Sequence, residues 1–141
     1  MEKITRVVFV AFIQNGKLLV CKSVRSAKQN LYTLVGGTLL EDESVFEGAI
    51  RECKEEINPD FDLRQRDLEE LFIFVEPAAS DPELIIEITV MLSHKEIDVE
   101  LLTNLEILEH KWYSIHDQEV NLSTTITEYF LPWAIINKKM Y

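Results

Sequence analysis

Apolar and polar positions fall into short blocks along most of the chain, which predicts a protein dominated by strands. The N-terminal block, residues 4–13, is rich in β-branched and aromatic side chains. It runs into Asn15-Gly16, a strong hairpin signal, and residues 17–22 are expected to return as a second strand. Further strands are predicted at residues 31–35, 68–76, 84–92 and 110–115.

One central stretch follows the helical period instead of the strand period. It extends from Ser44 to Ile57 and opens with the capping-box pattern Ser44-x-x-Glu47. Asn58-Pro59 ends it, because Asn tolerates the left-handed turn at a helix end and Pro cannot continue a helix. The pattern therefore predicts a helix with well-defined ends.

A second helix is predicted at the C-terminus, over residues 124–139, where Pro132 is expected to mark a kink or an early turn. Residues 23–30 are polar and basic and predict a loop, and a connection around residues 77–83 joins two long strands. These elements predict an α/β fold in which one mixed sheet carries helices on both faces. Without a linker or repeat, residues 1–141 are expected to form a single domain.

The net charge and the amino-acid composition limit which binding partners and cellular environments are expected. The net charge of −11 argues against binding of DNA or RNA through a basic surface, so a small phosphorylated substrate would need a cation as mediator. Cys21 and Cys53 lack metal-type spacing and are expected to be free thiols in a reducing compartment. The short N-terminal apolar run favours a strand over a signal peptide, and no segment has membrane-spanning length. A cytoplasmic protein without membrane contact is expected.

Acidic residues are concentrated on one edge of the central helix. At helical spacing, Glu52, Glu55 and Glu56 fall within an arc of about 100°. A solvated acidic face is one interpretation, since Glu-rich helices are common. Against it, Arg51 and Lys54 are expected to lie outside the arc, leaving the carboxylates unpaired and mutually repulsive. A hard divalent cation, Mg²⁺ or alternatively Mn²⁺, would neutralise them.

This stretch resembles the Nudix box of the Nudix (MutT-like) hydrolases. The glycine and the charged positions of that signature are all present at its spacing: Gly37, Glu43, Arg51, Glu52, Lys54, Glu55 and Glu56. Asn58 stands where the family has a glycine, a substitution that the left-handed position tolerates. The resemblance implies an α/β/α sandwich and Mg²⁺-dependent cleavage of the pyrophosphate bond of a nucleoside diphosphate linked to another group.

The resemblance also assigns roles to individual residues. It implies Glu52, Glu55 and Glu56 as metal ligands, with the Gly37 carbonyl as a further one. It places Arg51 and Glu43 at positions that pair and hold the loop and the helix together. Glu52 or Glu55 could then act as the general base.

Residues outside the box are weaker candidates. Arg6, Lys22, Arg25 and Lys28 could contact phosphate, although each alone is more typical of a solvated surface charge. Glu106 could supply an additional acid, although an exposed loop glutamate is the more ordinary interpretation.

The substrate and the oligomeric state stay open at this level. Short chains of the family often act on nucleoside triphosphates, including modified ones, which gives those substrates a slight preference over nucleotide sugars, ADP-ribose and dinucleoside polyphosphates. The alternative is a non-catalytic nucleotide sensor with the same fold, but such modules typically lose box glutamates that this chain keeps. A homodimer is compatible with the resemblance.

Overall fold

The structure is a computed structural model that describes residues 3–77, 81–117 and 119–141. The strands are β1 (Lys3–Ala11), β2 (Ile13–Gln14), β3 (Lys17–Ser23), β4 (Val35–Thr38), β5 (Leu68–Pro77), β6 (Leu84–Ser93) and β7 (Ile107–Tyr113). The helices are α1 (Val24–Ala27), α2 (Val45–Glu56) and α3 (Leu131–Ile136), with a 3₁₀ turn at Gln65–Asp67 and a π-helix at Thr125–Phe130. In the described part of the chain, no helix has both the length and the apolar character needed to cross a membrane.

The strands form two sheets, where the sequence predicted one. A mixed four-stranded sheet has the order β4-β1-β6-β5, and an antiparallel three-stranded sheet has the order β2-β3-β7. The N-terminal block contributes to both sheets, because pairing breaks at Phe12 between β1 and β2. β1 lies inside the larger sheet, parallel to β6 and antiparallel to β4.

Helices cover opposite faces of these sheets, which confirms the predicted α/β/α arrangement. The side chains of β3 show this arrangement, because they alternate between the two buried clusters. Leu19 shares a buried cluster with Cys53 of α2, whereas Leu18 and Val20 share one with Phe130 of the C-terminal helical segment. Because neighbouring strand residues point to opposite faces, one strand supplies both cores.

The central helix forms as the sequence predicts, with Ser44 as its N-cap. The Ser44 hydroxyl accepts from the Glu47 amide at 3.1 Å, and the Glu47 carboxylate accepts from the Ser44 amide at 3.1 Å. The Asn15-Gly16 hairpin turn is also confirmed, with φ of 54° and 73°. The left-handed turn predicted at Asn58 is wrong, because Asn58 does not have a positive φ. Its side chain instead accepts from the Asp60 amide at 2.9 Å and donates to the Glu100 carbonyl at 3.1 Å.

Two further local predictions are wrong. Residues 23–30 are not all loop, because Ser23 and Ser26 form a reciprocal cap that nucleates the short helix α1. The strand expected at residues 31–35 is displaced to Val35–Thr38, so Gly36 and Gly37 lie within β4 instead of after it. Their antiparallel pairing with β1 decides this, because Gly36 lies opposite Phe9 and Gly37 opposite Val8.

The C-terminal helix is present but is not a uniform α-helix. The Leu131 amide donates to the Ile126 carbonyl, a π-type bond, and Pro132 stands in the first turn of α3. A π-helical segment next to a proline is expected, because proline lacks the amide that an α-helical ladder would use. Residues 78–80 of the predicted connection between β5 and β6 lie outside the described residues.

Candidate active site

Helix α2 turns two glutamates toward the strand that carries the double glycine. Glu52 and Glu56 are one helical turn apart, and each residue is only 8% exposed. The Glu56 carboxylate accepts a hydrogen bond from the Gly36 amide at 3.3 Å, and the Cys21 thiol lies 3.8 Å from the same oxygen. Two acidic side chains are therefore buried side by side between α2 and β4.

Burial and proximity make this pair unusual. Desolvation, and then the adjacent Glu52 carboxyl, raise the pKa of Glu56 well above its ordinary value. Such a pair is stable only when a proton or a cation lies between its members, because two desolvated carboxylates repel each other strongly. The pair is chemically suited to a positively charged ligand.

The glycine beside the pair leaves space that Glu52 uses. A Cβ atom built on Gly37 would lie 2.9 Å from the Glu52 Oε1 atom and 3.1 Å from Oε2. Gly48 leaves space of a different kind. A Cβ there would overlap the side chain of Leu39 and approach the Glu43 carboxylate at 3.0 Å, so the space belongs to packing within the loop–helix junction.

Arg51 organises the other acidic residues. It forms a two-pronged ion pair with Glu43, with Nε–Oε2 and Nη2–Oε1 distances of 2.7 and 2.8 Å. Its Nη1 atom also donates to Glu52 at 3.1 Å and to Glu55 at 3.3 Å. The hydrogen bonds from Arg51 lower the pKa of Glu43 to about 2. The prediction that Arg51 lies away from the acidic edge is therefore wrong.

The carboxylates do not converge as a set of three. Glu55 is drawn toward Arg51, and its side chain is 52% exposed. In residues 3–77, 81–117 and 119–141, no three acidic, imidazole or thiol groups are arranged to hold a metal ion. Glu52 and Glu56 form the close pair, and a role for Glu55 as ligand or base stays a prediction.

A cleft of about 710 Å³ opens beside this pair. Six of the residues that the sequence singled out line it: Arg25, Lys28, Gly37, Glu52, Glu56 and Glu106. Val7, Phe9 and Leu31 add an apolar wall. The cleft is large enough for a small phosphorylated molecule and presents both acidic and basic groups to it.

Two of the basic candidates lie elsewhere. Arg6 donates to the Glu43 carbonyl at 2.7 Å, so it supports the loop before α2. Lys22 bonds the Asn30 side chain at 2.8 Å and lies 4.5 Å from the centre of the Tyr32 ring. Neither lines the cleft, so phosphate contact remains a prediction for Arg25 and Lys28 alone.

The donor set is compatible with a divalent metal ion. Mg²⁺ typically takes one or two protein carboxylates and completes its shell with water and substrate phosphates. Glu52 and Glu56 supply that number of carboxylates, and both face a cleft wide enough to admit the remaining ligands. The space over Gly37, which a Cβ atom would fill, accommodates the Glu52 carboxylate, which also accepts from Arg51 at 3.1 Å.

Sequence reasoning missed two residues that hold the end of α2. The Asn104 side chain donates to the Glu55 carbonyl at 2.9 Å. A His110 ring nitrogen lies 2.8 Å from the Glu56 carbonyl, to which it donates, and burial lowers the pKa of His110. No local pattern could reveal either contact, because the partners are 49 and 54 positions apart.

Comparison with known proteins agrees with the geometry. The NUDIX domain family matches residues 3–134. A comparison with curated proteins finds no significant match.

Solved structures share the architecture at low sequence identity. A MutT Nudix hydrolase from Burkholderia pseudomallei is 19% identical, with a TM-score of 0.74 over 90% of this chain and 95% of that chain. The MutT protein from Methanosarcina mazei Go1 is 19% identical, with a TM-score of 0.73 over 97% of each chain. An ADP-ribose pyrophosphatase from Streptococcus suis is 19% identical, with a TM-score of 0.54 over 83% of this chain and 78% of that one. These likenesses establish the fold and leave the substrate open.

Proposed function

Because this chain belongs to the Nudix family of pyrophosphohydrolases, we propose that it hydrolyses the pyrophosphate bond of a nucleoside diphosphate linked to another group, with Mg²⁺ as the metal ion. The observation that carries the proposal is the buried Glu52–Glu56 pair in the wall of a cleft that also contains Arg25 and Lys28. Acidic groups for a cation and basic groups for phosphate thus meet in one space.

Each of these residues has a task that follows from its position. Glu52 and Glu56 hold the cation, with the Gly37 carbonyl as a further candidate ligand, since Gly37 also lines the cleft. Arg25 and Lys28 attract and orient the phosphate chain. When bound, a divalent cation neutralises charge on the phosphoryl oxygens and makes water more acidic. Mn²⁺ is expected to substitute for Mg²⁺, since both prefer oxygen ligands.

A carboxylate must also accept the proton of the attacking water. Glu52 and Glu106 line the cleft, whereas Glu55 is turned toward Arg51 outside it. Because Glu52 is assigned to the cation, these positions favour Glu106 over Glu55 as the general base. Glu106 is exposed, so a substrate would have to bring water to its side of the cleft.

For the substrate we favour a nucleoside triphosphate, including one with a modified base. The apolar wall of Val7, Phe9 and Leu31 offers a surface for one nucleobase beside the charged groups. Nucleotide sugars and ADP-ribose remain candidate substrates because a structural relative is named an ADP-ribose pyrophosphatase. The net charge of −11 disfavours a nucleic acid polymer as partner. A cytoplasmic location and a homodimer stay predictions.

A substrate screen tests the proposal. Nucleoside triphosphates, modified triphosphates, nucleotide sugars, ADP-ribose and dinucleoside polyphosphates are incubated with the protein and Mg²⁺, and the phosphorus-containing products are separated and identified. Glu52→Gln, which keeps size but removes the charge, serves as the matched inactive variant. Hydrolysis by the wild type, lost in the variant, supports the proposal. Nucleotide binding without hydrolysis of any compound would overturn it in favour of a sensor.

A further inference from the structure

Asn104 uses both ends of its side-chain amide to join two parts of the molecule. Its Nδ2 atom donates to the Glu55 carbonyl at 2.9 Å. Its Oδ1 atom accepts from the Glu106 amide at 2.8 Å and from the Ile107 amide at 2.7 Å. The orientation of the amide is fixed by these partners, because backbone N–H groups require the oxygen and a carbonyl requires the nitrogen.

The contacts of Asn104 reach both walls of the cleft. Glu55 belongs to the last turn of α2, directly before Glu56 of the acidic pair. On the other side, the Glu106 carbonyl accepts from the Val24 amide at 2.8 Å. Val24 is the first residue of α1, the helix that carries Arg25 into the cleft. A continuous line of hydrogen bonds therefore connects α2 to α1 through Asn104.

We propose that Asn104 is a positioning residue that fixes the separation between the acidic pair and the basic segment of residues 24–28. The inference rests on the proposed function, since it assigns a purpose to that separation. Asn104 does not line the cleft itself, so it acts through Glu55 and Glu106. Groups that hydrogen-bond metal ligands commonly affect metal affinity and turnover when they are lost. Asn104 would act one step further away, through the backbone of the residue before Glu56.

The competing explanation is that Asn104 only stabilises the local turn at residues 104–107. The two bonds accepted by Oδ1 form an ordinary turn that asparagine and aspartate both stabilise. Only the Nδ2 bond to Glu55 couples that turn to α2. Asn104→Asp separates the two roles, because aspartate keeps the acceptor and loses the donor. Its added negative charge favours a cation but repels the Glu55 carbonyl oxygen, so Asn104→Ala, which loses the donor without adding charge, is compared with it.

The test compares wild type with Asn104→Asp, Asn104→Ala and, as control, Leu105→Ala, whose side chain is 94% exposed. Mn²⁺ affinity is measured without substrate by electron paramagnetic resonance. kcat, KM and half-saturating Mg²⁺ are measured with the substrate that the wild type cleaves. Amide hydrogen exchange reports the turn at Glu106 and Ile107.

The proposal predicts that Asn104→Asp weakens Mn²⁺ binding and lowers kcat, each by about tenfold, while exchange at Glu106 and Ile107 stays slow. Asn104→Ala gives the same losses with faster exchange, and Leu105→Ala matches wild type. Mn²⁺ affinity and kcat at the wild-type level in Asn104→Asp would overturn the inference. A wild type that binds Mn²⁺ but cleaves no compound overturns the proposed function instead, and the Mn²⁺ comparison still decides the role of Asn104.

Discussion

Arg51 and Glu43 face each other in a two-pronged ion pair, with nitrogen–oxygen distances of 2.7 and 2.8 Å. Glu43 lies in the loop before α2 and Arg51 in the middle of that helix, so the pair holds the loop against the helix. Arg51 also reaches Glu52 at 3.1 Å. One guanidinium therefore connects the geometry of the loop to one member of the acidic pair.

Removing the charge of Glu43 tests this connection. Glu43→Gln is expected to lower the free energy of unfolding at pH 7 by about 1.5–3 kcal/mol, the range for hydrogen bonds to charged groups. The pair is mostly shielded from solvent, with side chains 11% and 26% exposed, so screening reduces it only in part. Urea denaturation measures the change, and the exposed Glu41→Gln variant is the control.

The same pair predicts a dependence of stability on acid. Arg51 lowers the pKa of Glu43 from its ordinary value of 4.5 to about 2. Its contribution is therefore complete above pH 4.5 and is lost as the pH falls toward 2. The difference in unfolding free energy between wild type and Glu43→Gln should shrink over that interval. A difference that stays constant down to pH 2.5 would show that the ion pair does not stabilise the fold.

The two adjacent glycines should respond differently to alanine. Gly36 has φ of 149°, and a Cβ there would overlap the Val8 carbonyl, so Gly36→Ala is expected to cost at least about 1–3 kcal/mol of stability. A Cβ at Gly37 instead meets the carboxylate at the far end of the Glu52 side chain, at 2.9 Å, and not a backbone atom. Gly37→Ala should therefore lower kcat by about tenfold to a hundredfold with little loss of stability. Thermal melting and steady-state kinetics distinguish the two; equal effects of both variants on stability would contradict the assignment.

The basic residues of the cleft should affect binding more than turnover. Arg25→Gln and Lys28→Gln are each expected to raise KM by about two- to tenfold with kcat nearly unchanged. Added salt should narrow the difference from wild type, because exposed charges are screened. Lys22→Gln is the matched control, since Lys22 lies outside the cleft. A KM for Lys22→Gln as high as for the other two would argue that general surface charge attracts the substrate.

Glu55 offers a prediction about rank order. Its side chain is half exposed and bonds Arg51, whereas Glu52 is buried in the cleft wall. Glu55→Gln should therefore lower kcat less than Glu52→Gln does under the same Mg²⁺ concentration. The two variants are compared by initial rates at saturating substrate. A larger loss for Glu55→Gln would indicate that Glu55 leaves Arg51 and joins the site when the metal ion binds.

Local signals in the sequence predicted α2 well. Its N-terminus is determined by the Ser44 cap, and the helix ends before Asn58-Pro59 as predicted, although Asn58 does not adopt the left-handed conformation. The charged positions from Glu43 to Glu56 follow from spacing alone, so the acidic edge was also predictable. What spacing could not give was the direction of each side chain. Arg51 bonds Glu52 and Glu55 because Glu43 anchors it from the preceding loop.

Long-range pairing explains the other differences. The position of β4 depends on β1, which accepts Gly36 and Gly37 opposite Phe9 and Val8 and so extends the strand through both glycines. The break in strand pairing at Phe12, which separates the two sheets, cannot be recognised in the sequence, because Phe12 lies within an unbroken apolar run. The hydrogen bond from Asn104 to Glu55 likewise forms only when the fold brings α2 and the segment before β7 side by side, so the sequence alone could not predict it.

We propose that Glu52 and Glu56 together hold the divalent cation on which hydrolysis depends. The most direct test is kcat for Glu56→Gln at saturating substrate and Mg²⁺, with circular dichroism to verify the fold and Glu41→Gln as control. Because an amide is a poor ligand for Mg²⁺, we expect kcat to fall by at least about a hundredfold in a folded protein. Near-normal turnover of the same substrate by Glu56→Gln would show that the Glu56 carboxylate does not hold the cation.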